Sequence, residues 1–434
     1  MKANLKKLVV VVTLLCVSVV FCYAQDWPQY LGPDRNGTSP QKNILKAWPE
    51  TGPEILWTAK VGKGNGGPVI KKGKVYLLDR DNEVGDFMRC FSLESGEELW
   101  KFGYDSPGEV RFPGSRSVPC VDDKYVYSCG HNGEVYCIDI NSHKPVWNKN
   151  IWTDFGGTEI PRWAIVQIPL VYNNLLILAS QAPDAGVVAY DKLTGDVKWK
   201  TPPLGSVGYV SPAMVKINQE DHVVMITGAD RRAGTGSSVV GINPHNGDIL
   251  WEYTGWSCII PAPPAVDAGE NKVLITGGYE AGTVMLKVKK KSDNSYNVTE
   301  LFKNVDFGAH TKPPVFYDGY FFAQYGTNNR RDGLVCMSMD GELMWKTGRD
   351  PGFNKGSLVL ADGLLFATDG DKALYLIDPD PSGFKPLASA EVLEIAADLA
   401  EPRYGNQNWA PIALADGRLI IRDQNQLVCV KVAE

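Results

Sequence analysis

Residues able to carry out chemistry occur in this chain without the spacing of a known catalytic or metal-binding motif. The 434 residues contain no Cys-x-x-Cys, no His-Glu-x-x-His and no haem-attachment motif, so no local group of side chains is placed to hold a metal or a haem. Residues 62–67 (GKGNGG) lack the Lys-Ser/Thr ending of a phosphate loop and are interpreted as a flexible connector. We predict no metal site, and any other site must combine residues that are distant in sequence.

The elements that position such residues are predicted to be strands. The chain has 44 glycines and 28 prolines, more than average usage, and this content predicts many turns. Its formal net charge of −6 argues against a nucleic-acid partner, because binding phosphates requires a basic face. The composition therefore indicates an all-β globular protein that does not bind nucleic acid.

The first 24 residues are typical of a secretory signal peptide. Residues 1–7 are basic, residues 8–22 are apolar, and Cys22 and Ala24 are small residues that suit cleavage before Gln25. An uncleaved anchor is the alternative, but 15 apolar residues are fewer than the roughly 20 needed to span a bilayer. Phe21 before Cys22 disfavours lipidation. We predict a periplasmic or secreted protein with no transmembrane anchor after cleavage.

A repeat with a period of 40–53 residues runs through the rest of the chain. A proline begins one strand in seven of its eight copies, at a position where no ladder N–H is lost. Periods of this length with several strands each are typical of a β-propeller, so the repeat predicts eight four-stranded antiparallel blades. The residue at the centre of another strand of each copy is Cys90, Cys137, Ala189, Gly241, Met285, Cys336, Leu376 or Cys429.

A tryptophan follows that central residue by nine or ten positions in five copies, and a glycine or His143 stands four residues before it. This spacing predicts a turn with positive φ and a last strand whose tryptophan packs between blades. Blade five ends at Phe302 without a tryptophan, and residues 388–400 after blade seven are predicted to be more helical. The tryptophans assigned to packing between blades are Trp57, Trp100, Trp147, Trp199, Trp251 and Trp345.

The two ends of the repeat predict how the ring closes. The last copy stops at Glu434 before its own tryptophan, whereas residues 52–57 form a single strand ahead of the first copy. Pairing this strand with the last three completes blade eight and covers both edges. We therefore predict a signal peptide at 1–24, an N-terminal arm at 25–51 and one propeller domain at 52–434.

Several residues with catalytic potential receive structural interpretations. The cysteines of the central column alternate with Ala, Gly, Met and Leu, so we interpret them as small buried hydrophobic residues. Four histidines fall in predicted hairpin turns and are interpreted as solvated turn residues. They are His131, His143, His222 and His245.

The segment 189–199 (AYDKLTGDVKW) resembles the tryptophan-docking motif of the pyrroloquinoline-quinone (PQQ) enzyme repeat, and segments 92–100, 243–251 and 338–345 are looser copies. The opening 26–37 (DWPQYLGPDRNG) is similar to the start of exported PQQ-like propellers. The resemblance covers residues 26–434. It implies the PQQ-like propeller fold, which both quinoprotein alcohol dehydrogenases and BamB-like scaffolds of outer-membrane protein assembly adopt.

A ligand site is predicted at the mouth of the central channel, where the connections into the first strands meet. Residues in these connections are richer in cations and aromatic rings than the acidic chain as a whole. They suit an anionic planar cofactor, an acidic sugar or a carboxylate-rich peptide, and the alternative is that they only cap this face. The predicted ligand-binding residues are Arg111, Arg116, Trp163, Tyr209, His310, Lys312, Lys355 and Trp409, accompanied by Asn65, Asn354 and Asn408.

Three functions are consistent with the sequence. The first is a monomeric, non-catalytic binding or scaffold protein of the cell envelope, whose partner is an envelope protein or a small anionic or glycan ligand, with no cofactor. The second, implied by the resemblance, is a PQQ-dependent dehydrogenase of alcohols or sugars, which would need Ca²⁺ and a carboxylate base such as Glu159 or Asp154. The third is binding or cleavage of acidic polysaccharide, with Arg116 on the carboxylate and His310 or Tyr209 as base. The absence of a Cys-Cys pair favours the first.

Overall fold

The computed structural model describes residues 26–108, 114–326, 331–395 and 408–434. These residues form eight four-stranded antiparallel blades, which confirms the predicted eight-bladed propeller. Within the described ranges the only helical element is the 3₁₀ turn Thr153–Phe155, and no helix there is long and apolar enough to cross a membrane. First strands of several neighbouring blades contact one another, and in a closed propeller the first strands surround the central channel.

Two strands precede the first blade, β1 (Thr38–Ser39) and β2 (Ile55–Lys60). The first four blades are β3 (Val69–Lys71), β4 (Lys74–Asp81), β5 (Gly85–Ser92) and β6 (Glu98–Gly103); β7 (Cys120–Val121), β8 (Tyr125–Cys129), β9 (Glu134–Asp139) and β10 (Pro145–Asn150); β11 (Leu170–Tyr172), β12 (Leu175–Ala182), β13 (Ala185–Asp191) and β14 (Val197–Lys200); and β15 (Ala213–Ile217), β16 (Glu220–Ile226), β17 (Val239–Ile242) and β18 (Ile249–Tyr253).

Blades five to eight continue in the same order. They are β19 (Val266–Asp267), β20 (Lys272–Gly277), β21 (Gly282–Lys290) and β22 (Tyr296–Asn304); β23 (Val315–Tyr317), β24 (Tyr320–Gly326), β25 (Arg331–Ser338) and β26 (Leu343–Lys346); β27 (Leu358–Ala361), β28 (Leu364–Thr368), β29 (Ala373–Asp378) and β30 (Lys385–Glu391); and β31 (Ala413–Ala415), β32 (Arg418–Arg422) and β33 (Gln426–Lys431), completed by β2.

The ring closes as predicted, because β2 pairs antiparallel with β33 and supplies the fourth strand of blade eight. Trp57 lies opposite Cys429 in this pair, and its indole N–H donates to the carbonyl of Leu93 in blade one, 2.9 Å away. The N-terminal strand therefore joins the last blade to the first. This pairing removes the two free strand edges that an open ring would expose.

The tryptophans of three other last strands make the same contact with the following blade. The indole N–H groups of Trp147, Trp199 and Trp345 donate to Lys192, Pro244 and Asp380 carbonyls at 2.9–3.1 Å. The glycines of the turn column have positive φ, as predicted, and a Cβ on Gly195 would lie 2.8 Å from the Trp147 ring. Glycine is needed there both for the backbone conformation and for the approach of the indole.

Replacing Gly195 by Ala is expected to lower the free energy of unfolding by about 2–4 kcal/mol, from left-handed backbone strain combined with overpacking against Trp147. Gly73 is the matched control, because its φ of 71° is similar and nothing lies within 4 Å of its Cβ position. Gly73→Ala should therefore show only the backbone part, about 1–2 kcal/mol. Urea denaturation of both variants measures the difference, and equal losses would contradict the docking role of the indole.

Three expectations about local structure were wrong. His222 lies inside β16 with none of its surface exposed and accepts a hydrogen bond from the indole of Trp251 at 3.0 Å, because the hairpin turn ends at Gln219. His131 is buried because its turn packs on blade one, where its N–H donates to Asp86. The segment predicted as helical from residue 388 belongs to β30 up to Glu391, since pairing with β29 overrides its helix propensity, and residues 396–400 lie outside the described residues.

The N-terminal arm lies inside the channel. Trp27, of which 1 % is exposed, forms a two-way backbone bridge with Ile70 on the inner edge of β3, and the Pro28 carbonyl accepts a hydrogen bond from Val121 of β7. Farther along, β1 pairs in parallel with the inner edge of β27. The arm thus contacts the first strands of blades one, two and seven. Since these strands surround the channel, the arm closes part of its length.

Candidate functional site

A cavity of about 690 Å³ opens at one end of the channel, on the face where successive blades are connected. Its wall is built by the short segments that lead into the first strands, together with hairpin turns of the same face and one residue of the N-terminal arm. The lining residues are Tyr30, Asn65, Arg116, Val118, Trp163, Val166, Ile168, Tyr209, Ser211, Ile260, Ala262, Pro264, Tyr279, His310, Thr311, Lys312, Arg331, Lys355, Trp409 and Pro411.

The structure brings most of the predicted ligand-binding residues into this one cavity. Arg111 lies outside the described residues, and Asn354 and Asn408 stand beside the cavity without lining it. The amide of Asn408 instead donates to the carbonyls of Asp371 and Glu394. The predicted residues that line the wall are Asn65, Arg116, Trp163, Tyr209, His310, Lys312, Lys355 and Trp409.

The two candidate carboxylate bases are not in the cavity. Asp154 lies in the 3₁₀ turn, where its exposed carboxylate accepts the backbone N–H of Asn150 at 2.9 Å. Glu159 is also exposed. Neither residue lines the wall, because the connection that carries both passes outside the mouth before Trp163 enters it.

Sequence reasoning missed Tyr30, Tyr279 and Arg331, because none of them lies in a connection between blades. Tyr30 comes from the arm, Tyr279 from the turn between β20 and β21, and Arg331 from the first residue of β25. Hairpin turns between second and third strands reach the same face as the connections between blades. Tyr279 and Arg331 could have been found from this rule, whereas Tyr30 required knowledge of the path of the arm.

Lys312 connects three blades at the edge of the cavity. Its ammonium group donates to the carbonyl of Lys355 at 2.8 Å, to the hydroxyl of Thr311 at 3.2 Å and to the carbonyl of Trp409. These acceptors belong to the connections leading into blades six, seven and eight. Burial lowers the pKa of Lys312 to about 7, and the neighbouring positive charge of Lys355 lowers it as well.

Lys355 and His310 complete this side of the wall. The Lys355 ammonium lies 4.3 Å from the centre of the Trp409 ring, a cation–π contact, and burial, with a smaller contribution from Arg331, lowers its pKa to about 8. Burial lowers the pKa of His310 to about 4, so the imidazole is neutral at pH 7. Its Nδ1 lies 2.7 Å from the Gly326 carbonyl and therefore carries the proton.

Arg116 provides the positive charge on the other side. Its guanidinium donates to the carbonyl of Trp163, whose backbone N–H in turn donates to the Tyr209 hydroxyl at 3.3 Å. Burial lowers the pKa of Arg116 to about 10, which leaves it charged at neutral pH. These three side chains come from the connections into blades two, three and four, so one hydrogen-bonded chain holds this half of the wall.

The described wall residues carry several cations and no Asp or Glu. They fit carboxylate groups of a bound molecule, such as those of a quinone cofactor. They provide no carboxylate for Ca²⁺, which takes mainly carboxylate and carbonyl oxygens. They also provide no carboxylate that could act as a catalytic base. Elsewhere in the described part of the chain, no group of three His, Cys, Asp or Glu could hold a metal, and the seven cysteines there are all buried and unpaired.

Comparison with known proteins finds similarity to BamB and to dehydrogenases with the same fold. The family model described as outer membrane protein assembly factor BamB matches residues 86–300. BamB from Moraxella catarrhalis has a similar structure with a TM-score of 0.57 at 11 % identity, covering 87 % of this chain and 99 % of that one. Comparison with curated proteins gives no match.

Two dehydrogenase structures are also similar to this chain. Quinohemoprotein alcohol dehydrogenase from Comamonas testosteroni gives a TM-score of 0.64 at 12 % identity, covering 94 % of this chain and 81 % of that one. A europium-containing methanol dehydrogenase gives 0.60 at 13 % identity, covering 94 % and 89 %. At these identities the structural likeness concerns the fold. Together with the repeat and the family match, it supports a PQQ-like β-propeller family for this chain.

Proposed function

We propose that this chain is an exported binding protein of the bacterial cell envelope that holds a small anionic ligand in the channel-mouth cavity. The observation that carries this proposal is the composition of the wall, where Arg116, Lys312, Arg331 and Lys355 accompany five tyrosine and tryptophan rings and no described carboxylate. The description of the matching family as an outer membrane protein assembly factor supports a place in the envelope.

The energetics favour an anion at this site. Several positively charged side chains face the same cavity. Burial lowers the pKa of two of them, Lys312 and Lys355, because it disfavours their charged form. Desolvating a cation is unfavourable unless an opposite charge compensates it. A bound carboxylate, sulfate or phosphate group would supply that charge, while its apolar portion would pack on Trp163, Tyr209 and Trp409.

Equilibrium binding of PQQ, used as a polycarboxylate probe, tests the proposal. Quenching of tryptophan fluorescence should show saturable binding to the mature chain that EDTA does not weaken. Lys355→Gln should weaken it, whereas Lys124→Gln, an exposed lysine in the hairpin between β7 and β8, should leave it unchanged. Binding that requires Ca²⁺, with reduction of the quinone by an alcohol, would replace the proposal with a dehydrogenase. Failure to bind PQQ and galacturonate oligomers, with capture of an acidic envelope peptide, would replace it with a scaffold role.

Affinity for the anion is expected to fall as the pH rises from 7 to 9. The pKa of Lys355 is lowered to about 8, so its ammonium is present below this pH and is lost above it, together with its attraction for the ligand. Binding titrations at constant ionic strength measure this change. Lys355→Arg retains a positive charge over the whole range and should reduce the pH dependence, leaving only the part that comes from Lys312, whose pKa is lowered to about 7. An unchanged profile in that variant would show that Lys355 does not contact the anion.

A further inference from the structure

The cavity is closed at its inner end by the N-terminal arm. Tyr30 forms part of the wall, 4 % of its surface is exposed, and it packs with Leu31 in one apolar cluster with residues of blades one to three. Arg35 donates to the Pro169 carbonyl, and the Gly37 carbonyl accepts the N–H of Leu360. The arm thus reaches from blade three across to blade seven. Because the arm crosses the channel between these opposite blades, a ligand is expected to enter and leave through the mouth rather than along the channel.

The positive charges of the wall fall into two groups on opposite sides. Arg116 lies in the connection into blade two, while Lys312 lies in the connection into blade six and Lys355 in the next one. In a closed ring of eight blades, blade two is opposite blade six. Arg331 begins β25 of blade six and belongs to the same group as the two lysines.

Contacts within each group are consistent with this separation. The Lys312 ammonium donates a hydrogen bond to the Lys355 carbonyl. Arg331 is close enough that its positive charge lowers the pKa of Lys355. Arg116 is instead connected to Trp163 and Tyr209. We call Arg116 the first pole and Lys312, Arg331 and Lys355 the second pole.

Apolar surface occupies the wall between the poles. Trp163, Tyr209 and Tyr279 line one arc, with Pro264 beside them, and Trp409 and Pro411 line the opposite arc at blade eight. The volume, about 690 Å³, lies in the range of cavities that enclose one compact organic molecule. The wall is thus positive at two ends and apolar between them.

We propose, on the basis of the function proposed above, that the ligand is a compact molecule with one anionic group at each end of a short, rigid, apolar body. Arg116 would bind one group, and the Lys355 ammonium would bind the other. Lys312 uses its donors on backbone and hydroxyl oxygens and therefore positions the second pole. The closed inner end favours this class over a long polyuronate, whose chain would have to leave through the single mouth.

Three naphthalene carboxylates test the arrangement because they share one ring system. Naphthalene-2,6-dicarboxylate has its groups at opposite ends, the 2,3-isomer has the same charge on one side, and naphthalene-2-carboxylate has a single group. We expect the 2,6-isomer to bind about tenfold or more tightly than the other two, the effect of one additional charge-assisted hydrogen bond. Isothermal titration calorimetry on the mature chain measures all three.

Variants at each pole complete the test. Arg116→Gln and Lys355→Gln should each weaken binding of the 2,6-isomer about tenfold, and the double variant should show the product of both effects, because separated groups act independently. Arg116→Lys, which keeps the charge, should recover part of the affinity. Melting temperatures identify a variant that fails to fold, and Lys124→Gln is the control outside the cavity.

Equal binding of the three compounds, or tightest binding of the 2,3-isomer, would overturn the two-pole arrangement and leave the anion-binding function intact. Tighter binding of a galacturonate oligomer than of the 2,6-isomer would also overturn it in favour of the end of an acidic glycan. If neither these compounds nor PQQ bind, the proposed function fails together with this inference.

Discussion

A chain of residues 61–434 is expected to lack the soluble, cooperatively folded state of a chain of residues 25–434. The deletion removes β2, so that β33 becomes an open edge of blade eight, and it also removes the arm from the channel. Trp27, Ile44 and Trp57 belong to one apolar cluster with residues of blades one, seven and eight, and their removal would expose its interior. An unpaired edge beside exposed apolar surface promotes aggregation.

Size-exclusion chromatography and thermal unfolding followed by circular dichroism measure this effect. Most of the truncated protein should elute as aggregate, without the cooperative unfolding transition of residues 25–434. Addition of a peptide of residues 26–60 during refolding should restore soluble monomer, whereas a peptide of residues 26–51, which lacks β2, should not. A truncated chain that stays monomeric and unfolds cooperatively would refute closure by the N-terminal strand.

Replacing Trp199 by alanine should lower the free energy of unfolding by about 3–5 kcal/mol, the range for a large aromatic side chain removed from a core. Its exposed fraction is 7 %, its indole N–H donates to the Pro244 carbonyl of the next blade, and its ring fills the space above Gly247. Gly247 cannot fill the resulting cavity because it has no side chain. The loss therefore combines buried area, a hydrogen bond and a cavity.

Urea denaturation of two matched variants separates these contributions. Trp199→Phe keeps most of the ring packing and should cost less, with the loss of the donor to Pro244 as its main effect. Trp345→Ala removes the corresponding residue of blade six, which is only partly buried, and should be less destabilising than the change at position 199. A loss below about 1 kcal/mol for Trp199→Ala would be typical of a surface site and would contradict packing between blades.

The candidate site was predictable to the extent that topology alone places residues. Arg116, Lys312 and Lys355 were identified because connections into first strands must cross the face of a propeller that carries the channel mouth. This argument requires only the positions of the strands. It did not identify Tyr279 or Arg331, because both lie in hairpins between second and third strands. The sequence analysis predicted these hairpins but did not assign their side chains to the mouth.

Burial was predicted less well than strand order. His222 was placed in a hairpin turn, yet it is enclosed between blades and bonded to Trp251. A shift of two residues in a hairpin boundary decides between a solvated and a buried side chain. The neighbours that enclose His222 include residues about 30 and 74 positions away, which no local pattern identifies.

The sequence by itself determined the eight-bladed ring and its closure by the strand predicted at residues 52–57, because the copies repeat the same short-range pattern of strands and turns, with a tryptophan in five of them. Only the tertiary structure decided that the arm enters the channel, that Tyr30 closes the cavity and that Arg116 faces the Lys312 and Lys355 side across it. These relations join segments up to about 320 residues apart, such as Thr38 and Leu360. They depend on how the ring closes in space, and a repeat that is read one copy at a time carries no information about that.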